Sequence, residues 1–155
     1  MLYLLVKYLH VLGAIVLLGT GAGIAFFMLM AHRSGDVAHI WRTTKAVVIA
    51  DAVFTATAVL AQPLTGIWLA WSQGLPLTEP WLMASLVLYG VAGVFWLPVV
   101  WMQMRIRDLA AAAVDRDAPL GDNYHRLFRL WFVFGFPGFG AVLAIVWLMV
   151  AKPVW

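Results

Sequence analysis

The residues best suited to chemistry in this sequence are ionisable side chains set into apolar segments. His10 lies about one-third of the way into the run from Tyr3 to Met30, where Lys7 is the only other basic or acidic side chain. An ionisable group is costly in hydrocarbon, so it is expected to face protein, a cofactor or water. Neutral imidazole is a common metal ligand, which makes His10 a candidate axial ligand to haem iron. The alternative is a histidine that hydrogen-bonds to a backbone carbonyl or to water.

A second axial ligand on the side of His10 would have to be a thioether. Met83 and Met149 lie on that side, and His/Met pairs hold haem iron in cytochromes and raise its potential. The alternative for each methionine is ordinary packing between helices. The remaining histidines belong to the opposite side, where solvated loop positions are the favoured interpretation; they are His32, His39 and His125.

Asp51 is a carboxylate inside the second apolar segment, and intramembrane carboxylates commonly have a function. It is a candidate proton relay or cation site, or an ion-pair partner of Arg126 or Arg129. The ion pair is the interpretation that the sequence favours. Other polar residues recur with Asp51 near helical spacing and predict a polar stripe on one helix face. The stripe consists of Thr44, Asp51, Thr55 and Gln62.

The elements that position these residues must be membrane helices. The chain has 155 residues, of which 65% are hydrophobic and only 11% charged, whereas soluble domains carry about 25% charged residues. The net charge of +3 is better explained by basic loops on one side of a membrane than by a nucleic-acid partner. The absence of cysteine from the sequence excludes disulfides and thiolate metal sites.

Four long apolar segments predict an all-α bundle of four transmembrane helices in one domain, residues 1–155. The helices are expected at about 3–31, 40–72, 81–117 (with a cytoplasmic extension) and 124–150. Eight of the ten Lys and Arg residues flank the first and third loops: Arg33, Arg42, Lys45, Arg105, Arg107, Arg116, Arg126 and Arg129. The positive-inside rule then places both termini on the non-cytoplasmic side of a bacterial inner membrane.

Small residues and prolines predict local features of these helices. Gly19 and Gly23 form a GxxxG pair that lets a neighbouring helix approach closely. Pro63 is expected to kink the second helix, and the GFPGFG run at 135–140 is expected to bend or partly unwind the fourth. The lipid bilayer is the one certain partner, and a homo-oligomer remains open.

Several short motifs resemble known membrane proteins. Lys7-x-Leu9-His10, His32, Pro63 with Gly66, Trp81-Leu82 and Lys152-Pro153 resemble the HemJ-type protoporphyrinogen oxidases. The first helix also resembles the membrane domain of the CopD copper-resistance family. Over nearly its whole length the chain resembles a bacterial family of predicted four-helix integral membrane proteins known only as a domain of unknown function.

The HemJ resemblance implies a compact four-helix bundle that binds haem b with the help of His10. The HemJ pattern reads Trp-Leu-His-Ala-Lys at the start of the third helix, whereas this chain has Met83 and Ser85 in place of its His and Lys. The departure argues against protoporphyrinogen oxidation. It leaves His10 and Met83 as the candidate haem pair.

Two functional hypotheses follow. In the first, a haem-b-binding membrane oxidoreductase handles electrons from a quinone or porphyrin-like small molecule. His10 and Met83 then ligate the haem iron, Lys7 contacts a propionate or substrate anion, and Asp51 relays protons. In the second, a cofactor-free small transporter or accessory membrane subunit uses Asp51, Gln62 and the GFPGFG run as a polar path. The sequence leaves both open.

Overall fold

The computed structural model describes residues 1–153, and every element in that part of the chain is helical. The first helix spans Leu2–Ser34, the second Val37–Ser72, the third Pro80–Asp115 and the fourth Asp122–Ala151. Each is long and apolar enough to cross a membrane, which needs roughly 20 residues. The predicted all-α class with four membrane-spanning helices is therefore confirmed, and the helix ends lie within about three residues of those expected.

The two ends of the bundle are built differently. The connections Gly35–Asp36 and 116–121 lie at one end, called here the basic end because eight of the ten Lys and Arg residues flank them. The start of the first helix, the end of the fourth helix and the connection 73–79 lie at the other, the terminal end. The main apolar core is at the basic end, where Met28, Ile40, Ile106 and Tyr124 are almost completely buried.

The main apolar core lies at the basic end because the second helix changes neighbours along its length. Its first half, Val37–Ala50, packs against the third helix, whereas its second half, Ala56–Ser72, packs mainly against the first helix. The third and fourth helices stay together throughout. Beyond the middle of the bundle the helices form two pairs, the first with the second and the third with the fourth. A smaller apolar cluster of Ala70, Trp81 and Leu82 joins these pairs at the terminal end.

The second helix carries the predicted polar stripe, and all four members of the stripe are buried. A π-helical segment, Asp51–Thr55, interrupts its α-helical geometry, and the Ala56 N–H donates to the carbonyl of Asp51. No pattern in the sequence predicted this segment. Single π-turns occur frequently at functional sites.

Proline affects these helices less than expected. The fourth helix stays α-helical through Pro137, so the GFPGFG run does not unwind. Pro63 lacks the N–H that would donate to the carbonyl of Val59, and the hydroxyl of Tyr89 on the third helix donates to that carbonyl instead. A residue of the third helix thereby replaces the hydrogen bond that Pro63 removes from the Val59 carbonyl.

The GxxxG pair is not used within this chain. A Cβ atom placed on Gly19 or Gly23 would meet no other atom of the described residues within 4 Å. The expected close approach of another helix is therefore absent at these glycines among residues 1–153.

The first connection is a tight turn fixed by two residues. Gly35 adopts a left-handed φ of 68° and ends the first helix. The carboxylate of Asp36 accepts a hydrogen bond from the backbone N–H of His39 at 3.0 Å and caps the second helix. That backbone N–H holds the pKa of the Asp36 carboxyl below its usual value.

Replacing the cap should therefore have a pH-dependent effect. Asp36→Ala is expected to lower the thermal midpoint of the protein in mild detergent by roughly 2–4 °C at pH 7, as loss of a helix N-cap typically does. Because the folded-state pKa is lowered, this stabilisation is complete above the unfolded-state pKa of about 4 and is lost as the pH falls through the folded-state value. Asp36→Asn keeps an acceptor and is the matched control. Equal Asp36→Ala effects at pH 7 and pH 3 would contradict the assignment.

Candidate functional site

A cavity near the middle of the bundle is called here the Asp51 cavity. Its volume is about 280 Å³, and its walls are almost entirely apolar. Aromatic rings supply much of the wall, from Tyr89, Phe95, Trp96, Trp131, Phe132, Phe134, Phe136 and Phe139. The polar side chains among its lining residues include Asp51, Thr55 and Gln103.

Asp51 belongs to a hydrogen-bond chain that joins three helices. The side-chain amide of Gln103 is assigned the orientation in which both its nitrogen and its oxygen have hydrogen-bond partners. In that orientation the amide nitrogen donates to Oδ2 of Asp51 at 3.1 Å. The amide oxygen then accepts from the indole N–H of Trp131 at 3.3 Å. The second, third and fourth helices are thereby tied together at one buried point.

The ion pair predicted for Asp51 is wrong. Among residues 1–153 the only salt bridge joins Arg107 to its neighbour Asp108, and Arg126 and Arg129 are both exposed. These arginines lie near the basic end, where lipid headgroups and water can solvate them, whereas Asp51 lies near the middle of its helix. Asp51 is only 5% exposed and therefore has no cationic partner in the described part of the chain.

Two buried polar groups next to Asp51 lack a proper partner. The Thr55 hydroxyl and the Trp96 indole lie beside the carboxylate, yet neither makes a hydrogen bond of ordinary geometry within residues 1–153. Both residues line the Asp51 cavity. Unsatisfied buried donors are uncommon in folded proteins, and the acceptor that lies beside both is the Asp51 carboxylate.

The Asp51 cavity opens sideways. Ala22 and Ala25 of the first helix and Phe136 and Phe139 of the fourth line it and are also exposed on the outside of the bundle. These positions are far from both ends of their helices. The opening therefore faces the hydrocarbon of the bilayer.

A smaller cavity of about 80 Å³ lies toward the terminal end and is called here the His10 cavity. All four helices contribute to it, and its polar lining residues include His10, Gln62, Ser85 and Tyr89. Nδ1 of His10 lies 2.8 Å from the hydroxyl of Thr65. The amide nitrogen of Gln62 donates to the backbone carbonyl of His10 at 2.8 Å.

The structure brings only part of the predicted haem site together. Met149 lines the cavity of His10, but Met83 does not and is 46% exposed. The reason is helical phase, since Leu82, Ser85, Leu86 and Tyr89 form the inward face of the third helix and Met83 falls outside it. Lys7 is exposed too, with its ammonium group 5.9 Å from the centre of the Tyr3 ring.

The His10 cavity is too small for a haem group as the helices stand. An engineered cavity of about 150 Å³ binds a single benzene ring, and the space beside His10 is about half that volume. Within residues 1–153 there is also no cluster of three or more His, Cys, Asp or Glu side chains that could hold a metal ion.

At the basic end, His32 is packed rather than solvated. Its ring stacks on Phe128 with centroids 3.9 Å apart, and its Nδ1 lies 3.1 Å from the hydroxyl of the buried Tyr124. His125 is exposed and meets His32 edge-on at 5.8 Å. The expectation of solvated histidines therefore fails for His32, because the first helix extends to Ser34 and carries it onto the fourth.

Four membrane-spanning helices around buried polar groups define a multi-pass integral membrane protein. Residues 4–153 match the family described as "Predicted integral membrane protein (DUF2269)", and the chain belongs to that family. The resemblance to a four-helix membrane family of unknown function is thereby confirmed. No curated protein and no solved structure matches this chain.

The first and second helices pack closely at Gly13, and a substitution there tests this contact. A Cβ atom there would lie 2.3 Å from the Gln62 amide nitrogen, so Gly13→Ala must displace the side chain that bonds to His10. We expect a loss of about 1–3 kcal/mol of stability, measured by thermal or denaturant unfolding in mild detergent. Gly19→Ala is the control, because its Cβ meets nothing within 4 Å. Equal stabilities of the two variants would contradict the described contact.

Proposed function

We propose that this protein binds lipophilic organic cations in the Asp51 cavity and exchanges them for a proton on the Asp51 carboxyl group. The observation that carries the proposal is a buried carboxylate without a cationic partner among residues 1–153, in an aromatic cavity that opens toward the bilayer.

Charge balance supports this assignment. An ionised carboxylate that is withdrawn from water without a partner costs several kcal/mol. Asp51 therefore needs either a bound proton or a bound cation. When a monovalent cation binds, one proton leaves the carboxyl group, and the net charge of the site is unchanged.

The cavity wall suits an organic cation better than a metal ion. Aromatic faces attract ammonium groups, by about 2 kcal/mol or more when the pair is desolvated, and Trp96 and Trp131 lie with Asp51 around one space. A volume of about 280 Å³ exceeds the roughly 150 Å³ that holds one benzene ring. A one- or two-ring molecule with a single ammonium group is therefore the expected size.

The lateral opening matches a ligand that partitions into lipid. Such a molecule reaches the cavity between Ala22 and Phe136 from the hydrocarbon, without crossing the packed core at the basic end. A continuous polar path through the protein is not part of the proposal, since Asp51 and Gln62 line different cavities.

A quinone is the alternative ligand of the same cavity. A quinone ring is small enough to fit, and the unpartnered Trp96 N–H could donate to its carbonyl oxygen. A neutral quinone would nevertheless bind beside a protonated Asp51 and would not make use of the charge of the buried carboxylate. The cation is therefore the preferred ligand, and a quinone is included in the binding experiment.

The binding experiment uses two probes of the same shape. Phenyltrimethylammonium and tert-butylbenzene differ only in the charged centre, and binding to detergent-solubilised protein is followed by tryptophan fluorescence and calorimetry. We expect Asp51→Asn to weaken binding of the cation roughly 100-fold or more, as loss of one partner of a buried ion pair does. Binding of tert-butylbenzene should change little.

The proton provides a second measurement in the same experiment. Binding of phenyltrimethylammonium to the wild-type protein should release up to one proton. At low pH, where protons outcompete the cation, the apparent affinity for the cation should fall about tenfold for each unit by which the pH is lowered. Asp36→Asn, which changes an exposed carboxylate, is the control. Cation binding that is unaffected by Asp51→Asn would sink the proposal, and so would tight binding of 1,4-naphthoquinone with no binding of the cation.

The haem hypothesis makes a separate prediction. Because the His10 cavity does not admit a macrocycle, we expect protein purified from haem-replete cells in mild detergent to show no Soret band in its visible spectrum. A Soret band that His10→Ala abolishes would restore haem b as the cofactor. A band that survives His10→Ala would indicate haem bound elsewhere.

A further inference from the structure

We propose that the His10 cavity holds water and carries protons between the aqueous phase at the terminal end and the Asp51 carboxyl group. This inference rests on the proposed function, because it supplies the route for the proton that the bound cation replaces. It assigns His10 to proton exchange instead of metal ligation, and it adds Tyr89 to the same exchange.

The two cavities are neighbours. Leu17, Tyr89 and Val142 line both of them and so form a shared wall. The only polar side chain in that wall is Tyr89, whose hydroxyl donates to the backbone carbonyl of Val59. A phenol hydroxyl can accept one proton while it donates another, which makes Tyr89 the expected relay between the cavities.

The proposed route uses one tautomer of His10. The Thr65 hydroxyl has a single proton, and its oxygen lies 2.7 Å from the backbone carbonyl of Ala61. When the proton is donated to that carbonyl, the hydroxyl oxygen accepts from Nδ1 of His10 at 2.8 Å. In that tautomer Nε2 keeps its lone pair, and no described residue hydrogen-bonds to it.

Polar atoms without protein partners make the His10 cavity suitable for water. Besides Nε2 of His10, the side-chain oxygen of Gln62 accepts no hydrogen bond from residues 1–153. A buried water needs two to four polar partners and occupies about 30 Å³. A volume of about 80 Å³ accommodates roughly two such molecules, a short chain between His10 and Tyr89.

The cavity also reaches the surface. Leu77, in the connection between the second and third helices, lines it and is exposed. The titratable side chains that face His10 are few: Tyr89 is the only one from the third helix, and the second and fourth helices contribute none to the lining. Lys7 lies one turn closer to the terminal end and is exposed.

The test measures how fast the Asp51 carboxyl exchanges its proton for deuterium. The infrared C=O stretch of a protonated carboxyl shifts when the protein film is perfused with D₂O, and Asp51→Asn identifies the band. Ala14 lines the His10 cavity, so Ala14→Leu should expel the water and slow the exchange about tenfold or more, equivalent to about 1.4 kcal/mol on the barrier. Ala61→Leu adds the same volume at an exposed position of the second helix and should leave the rate unchanged.

Each outcome is informative. Exchange at the wild-type rate in Ala14→Leu overturns the water route, even when phenyltrimethylammonium still displaces a proton from the wild-type protein. Slow exchange in Ala14→Leu with no cation binding by the wild type upholds the route and overturns the proposed function. If Ala14→Leu is unstable in detergent, the single variants Ala14→Val and His10→Phe replace it, and each should slow the exchange. A band that is missing at every pH in the wild type overturns both proposals.

Discussion

The arrangement of this bundle depends on burying one carboxylate in a membrane without a cationic partner among residues 1–153. Asp51 is held by a glutamine amide and flanked by a threonine and a tryptophan that make no regular hydrogen bonds. Hydrocarbon cannot supply the missing interactions, so the protein must keep the group protonated or provide room for a positive partner. The π-helical segment begins at this residue, and the Asp51 cavity forms beside it.

That cavity exists because the bundle is not equally packed along its length. The second helix leaves the third after Thr55 and follows the first toward the terminal end, so two helix pairs face each other across a gap. Large side chains fill the gap at the basic end, and aromatic rings only line it near Asp51. Since no hydrophobic effect drives helices together inside lipid, polar contacts such as Gln62 to the His10 carbonyl and Tyr89 to the Val59 carbonyl gain importance where packing is sparse.

Helical phase explains which of the predicted site residues the structure brings together and which it does not. The polar stripe of the second helix could be read from spacing alone, because side chains at helical spacing share a face whatever that face contacts. The pairing of His10 with Met83 required knowledge of which face of the third helix points inward, and Met83 lies outside that face. Met149, the other thioether considered from the sequence, does share the cavity of His10.

The sequence by itself determined that this protein resides in a membrane, that four helices cross it, and that Asp51 and His10 lie inside the apolar segments. These features follow from composition and from periodicity along single helices. Only the tertiary structure decided that Asp51 has no arginine partner within residues 1–153 and that two adjacent cavities share Tyr89 in their wall. The physical reason is that distances between helices depend on their rotation and separation, which packing of the whole bundle fixes and no local pattern encodes.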